Sequence, residues 1–142
     1  MRSATGADSP LVSGVFVQLR VGDERYALAV EHVDEVTPFS APTPLPGARP
    51  DLLGLVALRG RVLPVYEAAA LLGAPGERRP ARIVVVSDGA LRAGVAVDEV
   101  FAVGPLPDPA PAEEPFLSGM ALHEGRAVGV VDAGALLAEL AR

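Results

Sequence analysis

Short apolar runs alternate with polar residues along most of the chain, and they come in pairs separated by glycine-containing turns. Val15–Arg20 alternates around Phe16, Gly22-Asp23 supplies a turn, and Arg25–Val30 returns. A period of two is that of a strand with one buried face, so this pair is predicted to be a β-hairpin. Leu55–Leu58 and Val62–Val65 flank Arg59-Gly60-Arg61, and Ile83–Val86 and Leu91–Val97 flank Asp88-Gly89, a dipeptide favoured in tight hairpins. Leu117–Leu122 and Arg126–Val131 flank His123-Glu124-Gly125. His32–Val36 reads as a turn entering an extended piece. Helical spacing is confined to Tyr66–Leu72, stopped by Gly73, and to Ala133–Leu140, where Asp132 is placed to cap the first turn.

The linking segments are equally plain. Thr37–Pro50 carries several prolines and is expected to be irregular, and Gly76–Pro80 is a charged, proline-bounded link. Pro105–Pro115 is rich in proline and acid and is expected to be extended and mobile. Residues 1–13 are small and polar and are expected to form a disordered leader, leaving 14–142 as the folded part.

A repeat underlies the pattern. Ala57-Leu58-Arg59-Gly60-Arg61-Val62, then Glu67 and Ala70-Leu71-Leu72, is echoed by Ala121-Leu122-His123-Glu124-Gly125-Arg126, then Asp132 and Ala135-Leu136-Leu137, with one extra residue in the second turn. Upstream, Asp34-Glu35-Val36 recurs as Asp98-Glu99-Val100. Strand, turn, strand, acid and short helix recur in order, which points to two copies of one small β unit. Neither half buries a good core alone, so the expected architecture is all-β: two small barrels packed together, with an apolar seam between them and a groove along it.

Composition narrows the function. The chain has 142 residues, half of them hydrophobic, with only 4% aromatic and no Trp, so its core must be built from Val, Leu and Ala. Net charge is −6 and every basic residue is Arg, without a basic stripe, which argues against nucleic acid and anionic lipid as partners. With no Cys there is no thiolate chemistry and no Cys-ligated metal. The opening residues lack the apolar run of a secretory leader, and no apolar run reaches the ~20 residues of a membrane span. These features predict a cytoplasmic protein.

A search for catalytic groups finds little. The two histidines, His32 and His123, fall in expected turns of different halves and read as solvated; with Glu31 and Glu35, His32 is a poor zinc site, because neighbours on an extended segment face opposite ways. Asp34-Glu35, Asp98-Glu99 and Glu113-Glu114 are adjacent carboxylates, and adjacent residues on a strand do not converge on one substrate. Ser87 has no activating base in view. A metal- or ligand-dependent enzyme is therefore the weakest reading, and no cofactor is expected.

Several segments, in order, resemble the CheW family. Phe16-Val17-Gln18-Leu19 with Tyr26-Ala27-Leu28-Ala29-Val30 resembles its opening hairpin, and Val33-Asp34-Glu35-Val36 its V-x-E-I/V piece. Leu45-Pro46-Gly47-Ala48 and Leu53-Gly54-Leu55-Val56 lead into Ala57-Leu58-Arg59-Gly60-Arg61-Val62-Leu63-Pro64-Val65, which resembles N-L-R-G-x-x-x-P-V. Arg82–Val86, Ala93–Val100 and the closing helix follow in the family's order, so the likeness runs from about Val15 to Leu140.

That resemblance implies two intertwined SH3-like β-barrel subdomains in one CheW-like domain, no catalysis, and a scaffold role in chemosensory arrays. It implies two partners, the cytoplasmic tip of a chemoreceptor and the regulatory domain of a CheA-type histidine kinase, with recruitment to membrane-associated arrays but no membrane insertion. By position, Arg59, Val33 and Glu35 are implied receptor contacts, while Leu58, Gly60, Pro64 and Gly94 are motif residues with structural roles. The chain departs from the family at Ala57 for Asn, Glu67 for Asp and Ala69 for a common Arg. These departures raise an alternative: a divergent paralogue that binds only the kinase regulatory domain and competes in array assembly.

Overall fold

The computed structural model describes residues 14–142, and the expected leader at 1–13 lies outside them. The strands are β1 (Phe16–Val21), β2 (Glu24–Ala29), β3 (Val33–Pro38), β4 (Leu52–Leu58), β5 (Arg61–Glu67), β6 (Arg82–Asp88), β7 (Leu91–Val97), β8 (Glu99–Gly104), β9 (Leu117–His123) and β10 (Arg126–Val131). Helix α1 (Ala68–Leu72) follows β5 and α2 (Ala133–Leu140) follows β10, while a 3₁₀ turn, Val30–His32, joins β2 to β3. The helix begins two residues later than the spacing from Tyr66 predicts, because Tyr66 and Glu67 complete β5. Strand β8 was not expected; the acid-rich start at Glu99 hid the apolar run behind it.

The strands form two five-stranded sheets, β9-β10-β2-β1-β8 (sheet I) and β3-β6-β7-β5-β4 (sheet II). Each contains two antiparallel hairpins joined by one parallel contact, β2 with β10 in sheet I and β7 with β5 in sheet II. The repeat explains the match, with an exchange built in. Sheet I takes its first hairpin from the first copy and its other three strands from the second; sheet II does the reverse. Neither copy can complete a sheet without the other.

Equivalent hairpins use equivalent turns. Gly22-Asp23 and Gly89-Ala90 each place a positive-φ glycine first, at 59° and 61°. The third hairpin therefore turns on Gly89-Ala90 rather than on the expected Asp88-Gly89, since Asp88 pairs with Leu91 at the end of the ladder. Arg59-Gly60 and Glu124-Gly125 both have positive φ at both positions, 50° and 76° in one and 52° and 76° in the other, the type I′ pattern that matches strand twist. His123 pairs with Arg126 as Leu58 pairs with Arg61, so the expected extra residue in the second turn is absent and His123 belongs to β9.

Three apolar clusters hold the molecule together. Leu63, Val65, Ile83, Val85 and Ala96 fill sheet II, and Ala27, Leu106, Ala121, Val128 and Val130 fill sheet I. The largest lies between them, where Val17, Leu19 and Leu28 of sheet I meet Val84, Val86, Val95 and Val97 of sheet II, with Leu136 and Leu137 of α2. Alternation along each strand supplies both faces: in β6, Ile83 and Val85 turn into the sheet's own interior and Val84 and Val86 into the seam.

The proline-rich links are pinned. Thr43 exchanges two 2.9 Å backbone hydrogen bonds with Leu55, and Ala110 exchanges bonds of 2.8 and 2.7 Å with Met120. Both links approach a glycine at a β-bulge, Gly54 and Gly119, where a Cβ would strike the Thr43 or Ala110 carbonyl oxygen. The 105–115 link is thus anchored at Ala110, and again at Leu106, which is buried inside sheet I.

Candidate functional site

Arg59 stands at the tip of the β4–β5 hairpin and Glu35 lies in β3, strands at opposite ends of sheet II. Their side chains nevertheless meet: Arg59 Nε donates to Glu35 Oε1 at 2.9 Å and Nη2 to Oε2 at 3.2 Å. The sheet therefore curls until its ends face each other. Such a fork fixes direction as well as distance, because two parallel N–H groups must match two oxygens. The Arg59 side chain is 74% exposed and that of Glu35 22%. The Arg59 hydrogen bond, with its charge, holds the Glu35 carboxyl below the usual carboxylate range, and Glu35 pushes the guanidinium up.

The left-handed backbone at Arg59 belongs to the turn. Glu124 adopts it at the equivalent tip without an equivalent partner set, so hairpin twist and not a special role accounts for it.

Strand β3 is held from its other face as well. Asp34 accepts from Ser87 Oγ at 2.7 Å and from Arg92 Nε at 3.3 Å, which locks β3 to β6 and β7. Asp34 and Glu35 thus point to different partners, as adjacent strand residues should. At the repeat-equivalent position the behaviour differs. Asp98, buried between β7 and β8, and exposed Glu99 both reach Arg20, at 3.4 and 3.2 Å. Val33 is half-buried and packs against the seam beside Val86, so it joins the pair only through its strand.

The motif residues have visible structural duties. Leu58 packs against the interior of sheet II. Gly60 supplies the second positive φ of the tip. Pro64, which has no amide to donate, stands one residue before the parallel ladder starts at Val65 and Gly94. A Cβ on Gly94 would lie 2.9 Å from Ile83 Cγ2 and 3.1 Å from Leu63 Cδ2, so the strand crosses the interior too closely for a side chain.

Both histidines differ from expectation. His32 is half-buried with Nδ1 3.0 Å from the Ser87 carbonyl oxygen, and His123 is a strand residue beside Glu124. Among the described residues no group of three or more His, Cys, Asp or Glu could hold a metal ion, and no helix is long and apolar enough to cross a membrane. Of the departures, Ala57 is exposed beside the tip, whereas Ala69 is 4% exposed and lies in the seam, where it affects packing and not surface. One feature near the tip went unnoticed in the sequence. Ala57 and Val62 are cross-strand partners and Val62 is 70% exposed, as its place one residue before core Leu63 in β5 would have indicated.

Comparison with known proteins covers the same ground. A family model described as CheW-like domain matches residues 15–141. The chain is 30% identical to a chemotaxis protein CheW of Rhizobium meliloti over 90% of its length and 91% of the relative's. It is 36% identical to protein FrzA of Myxococcus xanthus over 83% and 74%. A crystal structure of the scaffolding protein TtCheW from Thermoanaerobacter tengcongensis superposes with a TM-score of 0.72 at 25% identity, covering 83% of this chain and 88% of that one. The ordered motifs, the paired exchanged sheets and these matches agree: the chain belongs to the CheW-like domain family.

Proposed function

We propose that this protein is a non-enzymatic adaptor of chemotaxis-type signalling that couples a chemoreceptor's cytoplasmic tip to the regulatory domain of a CheA-type histidine kinase. The observation that carries the reading is the Arg59–Glu35 fork, at two of the three positions where the family likeness places receptor contacts. Exposed Val62, in the strand that leaves the tip, supplies apolar surface near a charge pair that can exchange one carboxylate partner for another. A helix of the receptor tip carrying an acidic residue would compete with Glu35 for the same guanidinium. Val33 contributes by holding β3 against the seam. The names of the relatives support the setting: chemotaxis for CheW proteins, and scaffolding for the superposed structure.

The test is binding of purified kinase regulatory domain and of a receptor-tip fragment, measured separately by calorimetry, for the parent and for Arg59→Ala. Loss of receptor binding with kinase binding intact supports the assignment. Kinase binding with no receptor binding by the parent would favour the competing kinase-only paralogue, a reading that the buried position of Ala69 weakens. Binding to neither would refute the adaptor role.

A further inference from the structure

Val33 and Glu35 stand two residues apart in β3, and an unbroken strand would turn both to one face. They do not share one. Val33 pairs with Val86, whose side chain lies in the seam, whereas Glu35 pairs with Val85, whose side chain lies in the interior of sheet II. The ladder skips Asp34, which makes that residue a β-bulge. In a continuous ladder Glu35 would stand opposite Val84 and face the seam, with its carboxylate turned away from Arg59. One extra residue therefore creates the geometry in which the fork forms.

A bulge residue is left out of the ladder, and here its own carboxylate holds it. Ser87 Oγ donates to Asp34 Oδ1 at 2.7 Å and Arg92 Nε donates to Oδ2 at 3.3 Å, so both oxygens are used. The carbonyl oxygen of the same Ser87 lies 3.0 Å from His32 Nδ1, which ties the chain on both sides of Val33.

Sheet I supplies the comparison. Counted by ladder register, and not by the Asp-Glu-Val repeat, β8 carries a bulge at the same place: Val100 pairs with Leu19 and Ala102 with Gln18, skipping Phe101. Arg25 follows Gly22 at the same distance in sequence as Arg92 follows Gly89. Its guanidinium stacks on the Phe101 ring at 4.2 Å, and its buried Nε has no hydrogen-bond partner among the described residues. A ring face constrains direction less than two hydrogen bonds do. The residue in the place of Glu35 is Ala102, which has no charge to aim. The directional clasp is found in the sheet that has one.

We infer that the Asp34–Ser87–Arg92 clasp is a positioning device: it holds the bulge that turns Glu35 to Arg59, and through Glu35 it sets the geometry in which Arg59 meets a receptor carboxylate. The second half rests on the adaptor reading and the first does not.

Asp34→Ala gives charge and aim opposite signs. Removing a neighbouring negative charge would by itself lower the Glu35 pKa, whereas loss of aim would raise it, because the Arg59 hydrogen bond is the largest cause of its depression. The Glu35 carboxyl is titrated by NMR in the full chain. It should rise in Asp34→Ala and in Ser87→Ala, while Ser87→Thr, which keeps the hydroxyl, should match the parent. Calorimetry with the receptor-tip fragment should show both alanine variants binding about fivefold more weakly, the range of an exposed ion pair, with binding of the kinase regulatory domain unchanged. In an Arg59→Ala background Asp34→Ala should weaken receptor binding no further. Should Asp34→Ala fold poorly, Ser87→Ala carries both readouts. A Glu35 pKa that falls or stays put in the alanine variants would overturn the proposal. So would Ser87→Thr behaving as Ser87→Ala, or a raised pKa with receptor binding unchanged. A parent that binds no receptor fragment would refute the adaptor reading, and the Glu35 titration would still decide the clasp.

Discussion

Gly94 offers the sharpest test of how the core supports the tip. It lies in β7 at the start of the parallel ladder with β5, the strand that carries the Arg59 hairpin. Its φ is not in the left-handed region, so Gly94→Ala meets no backbone obstacle and should gain about 0.5–1 kcal/mol from a stiffer unfolded chain. Against that gain, the new methyl would face Ile83 Cγ2 at 2.9 Å, Leu63 Cδ2 at 3.1 Å and Val65 Cγ2 at 3.2 Å. All three neighbours are essentially fully buried, at 0–1% exposed, and none is a flexible chain end in open space. Overpacking of this kind costs about 1–3 kcal/mol. The packing cost wins, and the net loss should be roughly 1 kcal/mol. With m near 1–3 kcal/mol/M in urea, the unfolding midpoint falls by about 0.5 M with m unchanged. Gly94→Val, with two further methyls, should fall further. In an Ile83→Ala background the nearest obstructing atom is gone, and Gly94→Ala should cost less, with a coupling of about 1 kcal/mol between the two sites. Urea titration followed by circular dichroism reads every arm. A Gly94→Ala midpoint equal to or above the parent's would refute the close-packing argument.

Other expectations follow from the polar contacts. The Glu35 carboxyl titrates below its ordinary value because Arg59 binds its charged form, so the pair's contribution is present above the unfolded-state pKa and is lost as pH falls through the folded one; in Arg59→Ala the Glu35 pKa, read from side-chain carbonyl shifts, should rise toward the ordinary value, and no rise would mean the fork does not form in solution. Asp132→Ala removes the side-chain cap of α2 and should cost about 0.5–2 kcal/mol in thermal or urea unfolding. Asp98→Ala strips a buried acceptor from the Gly22 amide at 3.1 Å and from Arg20, and should cost about 1–3 kcal/mol; a neutral result would show that water replaces the carboxylate.

Hairpins, repeat and family were all legible along the chain, because each rests on neighbours in sequence. Period-two apolar runs mark strands wherever one face is buried, glycine at a turn reports a local backbone need, and Asp132 caps the helix it immediately precedes. The motif series from Phe16 to the closing helix named the family for the same reason. Boundaries slipped where a local signal was ambiguous by one or two residues, as at Tyr66, which helical spacing and a strand end both accommodate, and β8 was hidden by the acidic pair at its start.

What crosses between elements was decided only by the tertiary structure. No local pattern reports that the two copies exchange strands, because a hairpin reads the same whichever partner its edge finds; the parallel ladders of β2 with β10 and β7 with β5 make that choice. The meeting of Arg59 with Glu35 depends on the curl of sheet II, which is set by packing over residues far apart in the chain. Burial of Ala69 and Leu106, the commitment of His32 to Ser87, and the bulge at Asp34 likewise depend on which surfaces end up facing each other. Local backbone preferences act over a few residues, while burial is a property of the assembled sheets.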